Sequence, residues 1–134
     1  MQKIILTAII LTICNVAAVH GLTNEEQVIS STAMIDHLDI MLLESWPVQV
    51  KVMVHGYFPD SCTQIDTVTT KIIQQTFYVT VTTIRPGQLA CNQMLVPFKE
   101  IVPLETKGLA AGNYTVNING VTETFTLETE EPVQ

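Results

Sequence analysis

Basic residues are scarce in this chain: Lys and Arg number 6 against 13 Asp and Glu, a formal charge of −7 over 134 residues. So acidic a protein is repelled by phosphate backbones, and no run of basic residues offers a patch for anionic lipid. Nucleic acid is therefore excluded as an expected partner. Glycine is also sparse, with 6 residues, and Gly112-Asn113 is too glycine-poor to cradle phosphate. There is no Cys-x-x-Cys, the arrangement that lowers a thiol pKa for redox work. No helix-period segment separates the apolar stretches, which argues against a parallel α/β sheet. No internal repeat or low-complexity linker divides the chain.

What the chain does have is apolar residues, 47% of the total, enough for a core and too many for disorder. Lys3 precedes an apolar run from Ile4 to Ile13, the length of a signal-peptide core and too short to span a bilayer as a helix. Small residues follow, so residues 1–21 are expected to be a helical signal peptide, cleaved after Ala18 or Gly21. Leu11-Thr12-Ile13-Cys14 offers a second possibility. It is similar to a lipid-attachment motif, with Ile13 where that motif wants a small residue, and would give a one-chain anchor at Cys14. Otherwise no membrane insertion is expected after cleavage, and the protein is expected to be secreted or periplasmic.

Cys62 and Cys91 remain beyond that leader. An even pair in an oxidising compartment is expected to form a disulfide. Its loop of about 28 residues is worth roughly 3 kcal/mol on the chain-entropy account.

Residues 22–32 are polar and are expected to be a flexible spacer. Residues 33–128 alternate in the manner of strands. The segment from Ala33 to Leu43 is ambiguous: Met34, Leu38, Met41 and Leu42 suit a helical stripe, while Leu38, Ile40 and Leu42 suit a strand. A strand is expected because everything after it is β, and Trp46-Pro47 ends it either way. Val48, Val50, Val52 and Val54 then give the clearest period of two. Two further strands surround Gln74-Gln75. The stretch from Leu95 to Leu104 carries Pro97 and Pro103, which suits an edge strand. Two final strands, from Gly112 to Leu127, fold back at Asn119-Gly120, a pair that tolerates the positive φ of a type I′ turn. Tyr114 is expected to place its ring in the core and its hydroxyl on a loop. Residues 129–134 form an acidic tail. About seven strands with turns every 8–12 residues predict an all-β, antiparallel sandwich of immunoglobulin-like size.

Several motifs lie along this frame: Gly56-Tyr-Phe-Pro-Asp-Ser-Cys62, Ile84-Arg-Pro86, Cys91 with Leu95-Val-Pro-Phe98, and Gly108-Leu-Ala-Ala-Gly-Asn-Tyr-Thr-Val116. Together they resemble a family of uncharacterised bacterial secreted or lipoprotein domains, over roughly residues 36 to 127. In that family the two cysteines and the Gly-x-Tyr-x-Val hairpin recur. The resemblance implies an immunoglobulin-like fold and carries no activity to transfer.

No nucleophile–base pair or carboxylate pair in a cleft presents itself, so the protein is expected to be non-catalytic and without a cofactor. The densest polar cluster is Asp36, His37 and Asp39. On a strand His37 and Asp39 share a face, and His55 could join them from the next strand as a divalent-metal site. The plainer reading is a solvated face. Asn113-Tyr114-Thr115 fits a glycosylation sequon and is taken as strand composition. The two cysteine-tied loops are the expected recognition surface for a protein partner, with Tyr57, Phe58, Arg85, Gln88 and Asn92 as binding candidates. Inhibition of a protease or lysozyme by the same loops is the alternative use.

Overall fold

The computed structural model describes residues 27–45, 47–87 and 90–128. The expected signal peptide, with Cys14 and both cleavage points, lies outside the described residues, as do Trp46, Gln88 and the acidic tail. Eight strands run in order: β1 (Val28–Thr32), β2 (Met34–Leu43), β3 (Gln49–Phe58), β4 (Gln64–Ile73), β5 (Thr76–Pro86), β6 (Val96–Leu104), β7 (Gly112–Ile118) and β8 (Val121–Leu127). Among the described residues there is no helix. The strands form two sheets, one of β1, β4, β5, β7 and β8 and the other in the order β2-β3-β6.

The period of two in the sequence becomes the two faces of each strand. Val50, Val52 and Val54 of β3 turn inward and are fully buried, opposite Phe77, Val79 and Val81 of β5 and Val116 and Ile118 of β7. Leu38, Val102, Leu104, Phe125 and Leu127 complete the core. Burying each such side chain is worth about 1.5–3 kcal/mol. Tyr114 sits among Phe77 and Phe125, its ring centroid 6.0 and 5.7 Å from theirs. Its hydroxyl donates to the Ala110 carbonyl at 2.6 Å. The β7–β8 turn has Asn119 at φ 51° and Gly120 at φ 95°, the signs a type I′ turn needs.

Two expectations are corrected. Residues 28–32, assigned to a spacer, form β1, whose register pairs Val28 with Pro86 through Thr32 with Thr82. All five β1 side chains are exposed. The strand is held by its backbone, so it leaves no apolar alternation to read. The sandwich is also not wholly antiparallel: β5 and β7 pair in parallel from Thr76–Thr115 to Val79–Ile118. The chain passes through β6, in the other sheet, between them, and that crossing reverses the direction.

β1 and β7 share one edge of β5, end to end, while β4 takes the other edge. The junction between β1 and β7 is closed by the Asn119 side chain. Its Oδ1 accepts from the Val81 N–H at 3.0 Å, and its Nδ2 donates to the Ala33 and Val81 carbonyls, each at 2.9 Å. One amide thus substitutes for a missing residue of strand where Ala33 carries the chain to the other sheet. Among the described strands β6 pairs only with β3 and so forms an edge, and Pro97 and Pro103 share a parity on it, where no N–H is required.

Candidate functional site

The end of the sandwich where β3 leads into β4 is organised by Asp60. Its Oδ1 accepts from the backbone N–H of Cys62 and of Thr63, each at 2.9 Å, and from the Thr63 hydroxyl at 2.8 Å. Its Oδ2 pairs with Arg85 Nη1 at 2.9 Å. The Thr63 hydroxyl holds the carboxyl below its ordinary range. The amides of Cys62 and Thr63 and the Arg85 charge add to this, against the upward push of burial. Cys62 and Cys91 form the disulfide, with Cα atoms 5.7 Å apart. Beside it the Ser61 N–H donates to the Asn92 carbonyl, and the Asn92 N–H donates to Ser61 Oγ at 3.0 Å. The cross-link is therefore flanked by a hydrogen-bonded pair, and segments 60–63 and 91–92 form one unit.

The expected binding residues distribute differently around this end. Tyr57 and Phe58 lie on β3 rather than in a turn and point to opposite faces. Tyr57 is 40% exposed on the outside, while Phe58 stacks on Phe98 with ring centroids 4.5 Å apart. Arg85 belongs to β5 and is turned inward onto Asp60. Asn92 spends its backbone groups on Ser61. Gln88 lies outside the described residues. Sequence reasoning passed over Met94 and Leu95, which extend from the Cys91 segment 57% and 62% exposed. Pro59-Asp60 marks a turn in the sequence, but the part of the Asp60 carboxylate as the acceptor that organises it was not singled out, although Asp is a residue type that closes such turns.

The outer face of the β2-β3-β6 sheet carries a second arrangement. Register places His37 opposite His55, which lies opposite Lys99, and places Met34, Tyr57 and Pro97 in the next row. A β-bulge between Ile35 and His37 makes Asp36 the extra residue. Such a bulge re-aims side chains locally, and here His37 Nδ1 donates to Asp36 Oδ2 at 2.7 Å. His55 Nε2 bonds Asp39 Oδ2 at 2.9 Å. The two imidazoles stack with centroids 4.1 Å apart and planes 10° from parallel. Asp36, His37, His55, Tyr57, Pro97 and Lys99 line a shallow concavity of about 320 Å³. The three residues expected from the sequence to meet, His37, Asp39 and His55, do meet: one ligating atom from each lies within 4.8 Å of the others. The other such grouping, Asp60 with Cys62 and Cys91, has its two sulfurs bonded to each other.

Residues 52–127 match the ORF11 beta-sandwich domain. The chain belongs to that family. It is 38% identical over 94 residues to the uncharacterised 10.2 kDa protein in the HgiCIIM 5′ region of Herpetosiphon aurantiacus, an alignment covering 70% of this chain and 99% of that protein. It is 34% identical over 83 residues to the uncharacterised 10.2 kDa protein in the HgiBIM 5′ region of the same organism, covering 62% of this chain and all of that protein. No solved structure matches the chain. The ORF11 match begins inside β3 and ends with β8. It therefore takes in His55, the Asp60 turn and both cysteines, and leaves His37 and Asp39 on β2 outside it.

Proposed function

We propose that this ORF11 beta-sandwich protein is a secreted, immunoglobulin-like recognition module without catalysis of its own. In this reading residues 1–21 are its signal peptide, and its partner is a protein of basic charge. The observation that carries the reading is the loop after Cys91. Met94 and Leu95 are displayed to solvent from a segment fixed by the disulfide and by the Ser61–Asn92 pair. Exposed large apolar side chains on a rigid support lose little entropy on binding, which is what makes an anchor. Tyr57 on the neighbouring strand end supplies an aromatic with a polar tip, a residue type favoured at interfaces. The formal charge of −7 favours encounter with a basic surface and disfavours acidic competitors. An oxidising compartment is where such a disulfide persists.

The test is capture by the oxidised protein from an envelope or culture fraction, comparing wild type with Tyr57→Ala/Met94→Ser/Leu95→Ser. Ile72→Ser/Ile73→Ser, at the opposite end of β4, is the control. The reading expects the triple variant to lose a basic partner that the control retains. Equal capture by both variants refutes it. If the captured protein is a hydrolase whose activity falls on binding, the module acts as an inhibitor.

A further inference from the structure

We infer that His37, His55 and Asp39 form a binding site for one divalent transition-metal ion of the zinc or copper class on the outer face of the β2-β3-β6 sheet. This inference does not depend on the recognition reading, since it concerns a different set of side chains and is measured without a partner.

The donor set is two imidazoles and one carboxylate, which suits zinc and copper and leaves at least one coordination position open. The scaffold supplies the spacing. His37 and His55 are cross-strand neighbours in register, and Asp39 lies two residues along β2 on the same face as His37. A tetrahedral ion with bonds of about 2.0–2.1 Å holds its ligand atoms about 3.3 Å apart. His55 Nε2 and Asp39 Oδ2 are already 2.9 Å apart, so an ion entering between them widens that pair by only a few tenths of an ångström. The third ligating atom is within 4.8 Å of both.

Asp36 gives the site an outer support. By accepting the His37 Nδ1 proton it leaves the lone pair on Nε2, the arrangement in which a carboxylate orients a metal-bound imidazole. The bulge that places Asp36 there therefore has a use. Asp36 and Asp39 also outnumber Lys99, the cation facing His55 from β6, so the local field favours a cation. One adjustment is required. The in-plane lone pairs of parallel rings do not converge, so one ring must turn about χ2, a broad torsion. His37 and Asp36, with 55% and 51% of their side chains exposed, have room to make that turn together, so that the Asp36 carboxylate follows Nδ1. Binding should therefore break the imidazole stack.

The experiment takes the oxidised protein, stripped with chelator, and titrates it with Zn²⁺ by calorimetry and with Cu²⁺ by electron paramagnetic resonance. One ion per chain is expected, with a copper spectrum showing two imidazole nitrogens. His37→Ala, His55→Ala and Asp39→Asn should each weaken binding tenfold or more. Asp36→Asn should weaken it less than the loss of any of the three ligands, by about tenfold, the lower end of the range for outer-support residues. All four positions face outward, so an unchanged circular dichroism spectrum and urea midpoint certify the fold. Absence of saturable binding, or wild-type affinity in His37→Ala/His55→Ala, overturns the inference.

Discussion

The amide of Asn119 should be among the most valuable side chains for stability, although it is only partly buried and touches no site. Replacement by Gly isolates its contribution, because Gly accepts the φ of 51° at this position without strain. The Val81 N–H then loses its acceptor, and an unsatisfied buried donor costs about 1–3 kcal/mol. The bonds to the Ala33 and Val81 carbonyls are lost as well, at a net cost of about 1 kcal/mol for each. The Val81 carbonyl keeps the Ala33 N–H as a donor, which holds the total near 3 kcal/mol rather than higher. For a domain of this size that corresponds to a fall in melting temperature of roughly 12–20 °C. Asn119→Asp is the sharper variant. It keeps an acceptor for Val81 but turns a second oxygen, without a proton at neutral pH, toward two carbonyls. Asn119→Asp should therefore be at least as damaging as Asn119→Gly. Urea unfolding followed by far-ultraviolet circular dichroism on oxidised protein reads both. A loss under about 0.5 kcal/mol for Asn119→Gly, the range of an ordinary surface change, would refute the idea that this side chain closes the β5 edge.

Three other perturbations follow from the same geometry. Gly56→Ala puts a methyl against the Met34 carbonyl oxygen and 2.6 Å from the Phe98 ring; we expect a loss of about 3 kcal/mol in chemical unfolding, whereas Ala at an unobstructed site would change little. Asp60 has a folded pKa below its ordinary 3.8, so its stabilisation is fully present above that value and is lost as pH falls through the folded one. Asp60→Asn keeps the Asx-turn acceptor but removes this titration. Its urea midpoint should consequently fall less than wild type's between about pH 4 and pH 2, and parallel curves would contradict the assignment. Replacing both cysteines by Ser should cost roughly 3 kcal/mol for a bridge spanning 29 positions, measured as the difference between oxidised wild type and variant.

How far the fold could be read before the structure depended on whether side chains or backbone carried the information. The alternation of Val50, Val52 and Val54 reports burial directly, as does that of Tyr114, Val116 and Ile118, and those strands lie where the pattern put them. Asn119-Gly120 reports backbone conformation through residue type and was equally legible. β1 was not, because its five side chains face solvent and it is held through its main chain, which pairs with β5 and accepts from the Thr83 hydroxyl at the Ser31 carbonyl. The parallel β5–β7 contact was hidden for a different reason: it depends on which sheet β6 joins, and no local pattern encodes that. At the site, strand parity was enough to bring His37, Asp39 and His55 to one face. The stacking and the Asp36 contact required the bulge, which inserts a residue without any compositional mark. Arg85 was taken for a loop tip because a Pro-Gly follows it, yet a buried Asp60 draws it inward. The second role of Asn119, as a plug in the neighbouring strand edge, depends on a contact 38 and 86 residues away along the chain and so lies beyond any local reading.

The cross-link between Cys62 and Cys91 also bears on how the chain folds. The residues it encloses are essentially the β4–β5 hairpin, a unit that can form from local contacts. Phe58 and Val96, which begin the pairing of β3 with β6, are about forty residues apart along the backbone but only about ten through the sulfurs. Two halvings of loop length lower the closure cost by about 1.2 kcal/mol. A pairing that would otherwise be among the slow, long-range steps of a β topology becomes close to local once the sulfurs join. Oxidation before the C-terminal strands dock would thus let one sheet nucleate the other, and the oxidised chain should refold measurably faster than the reduced one.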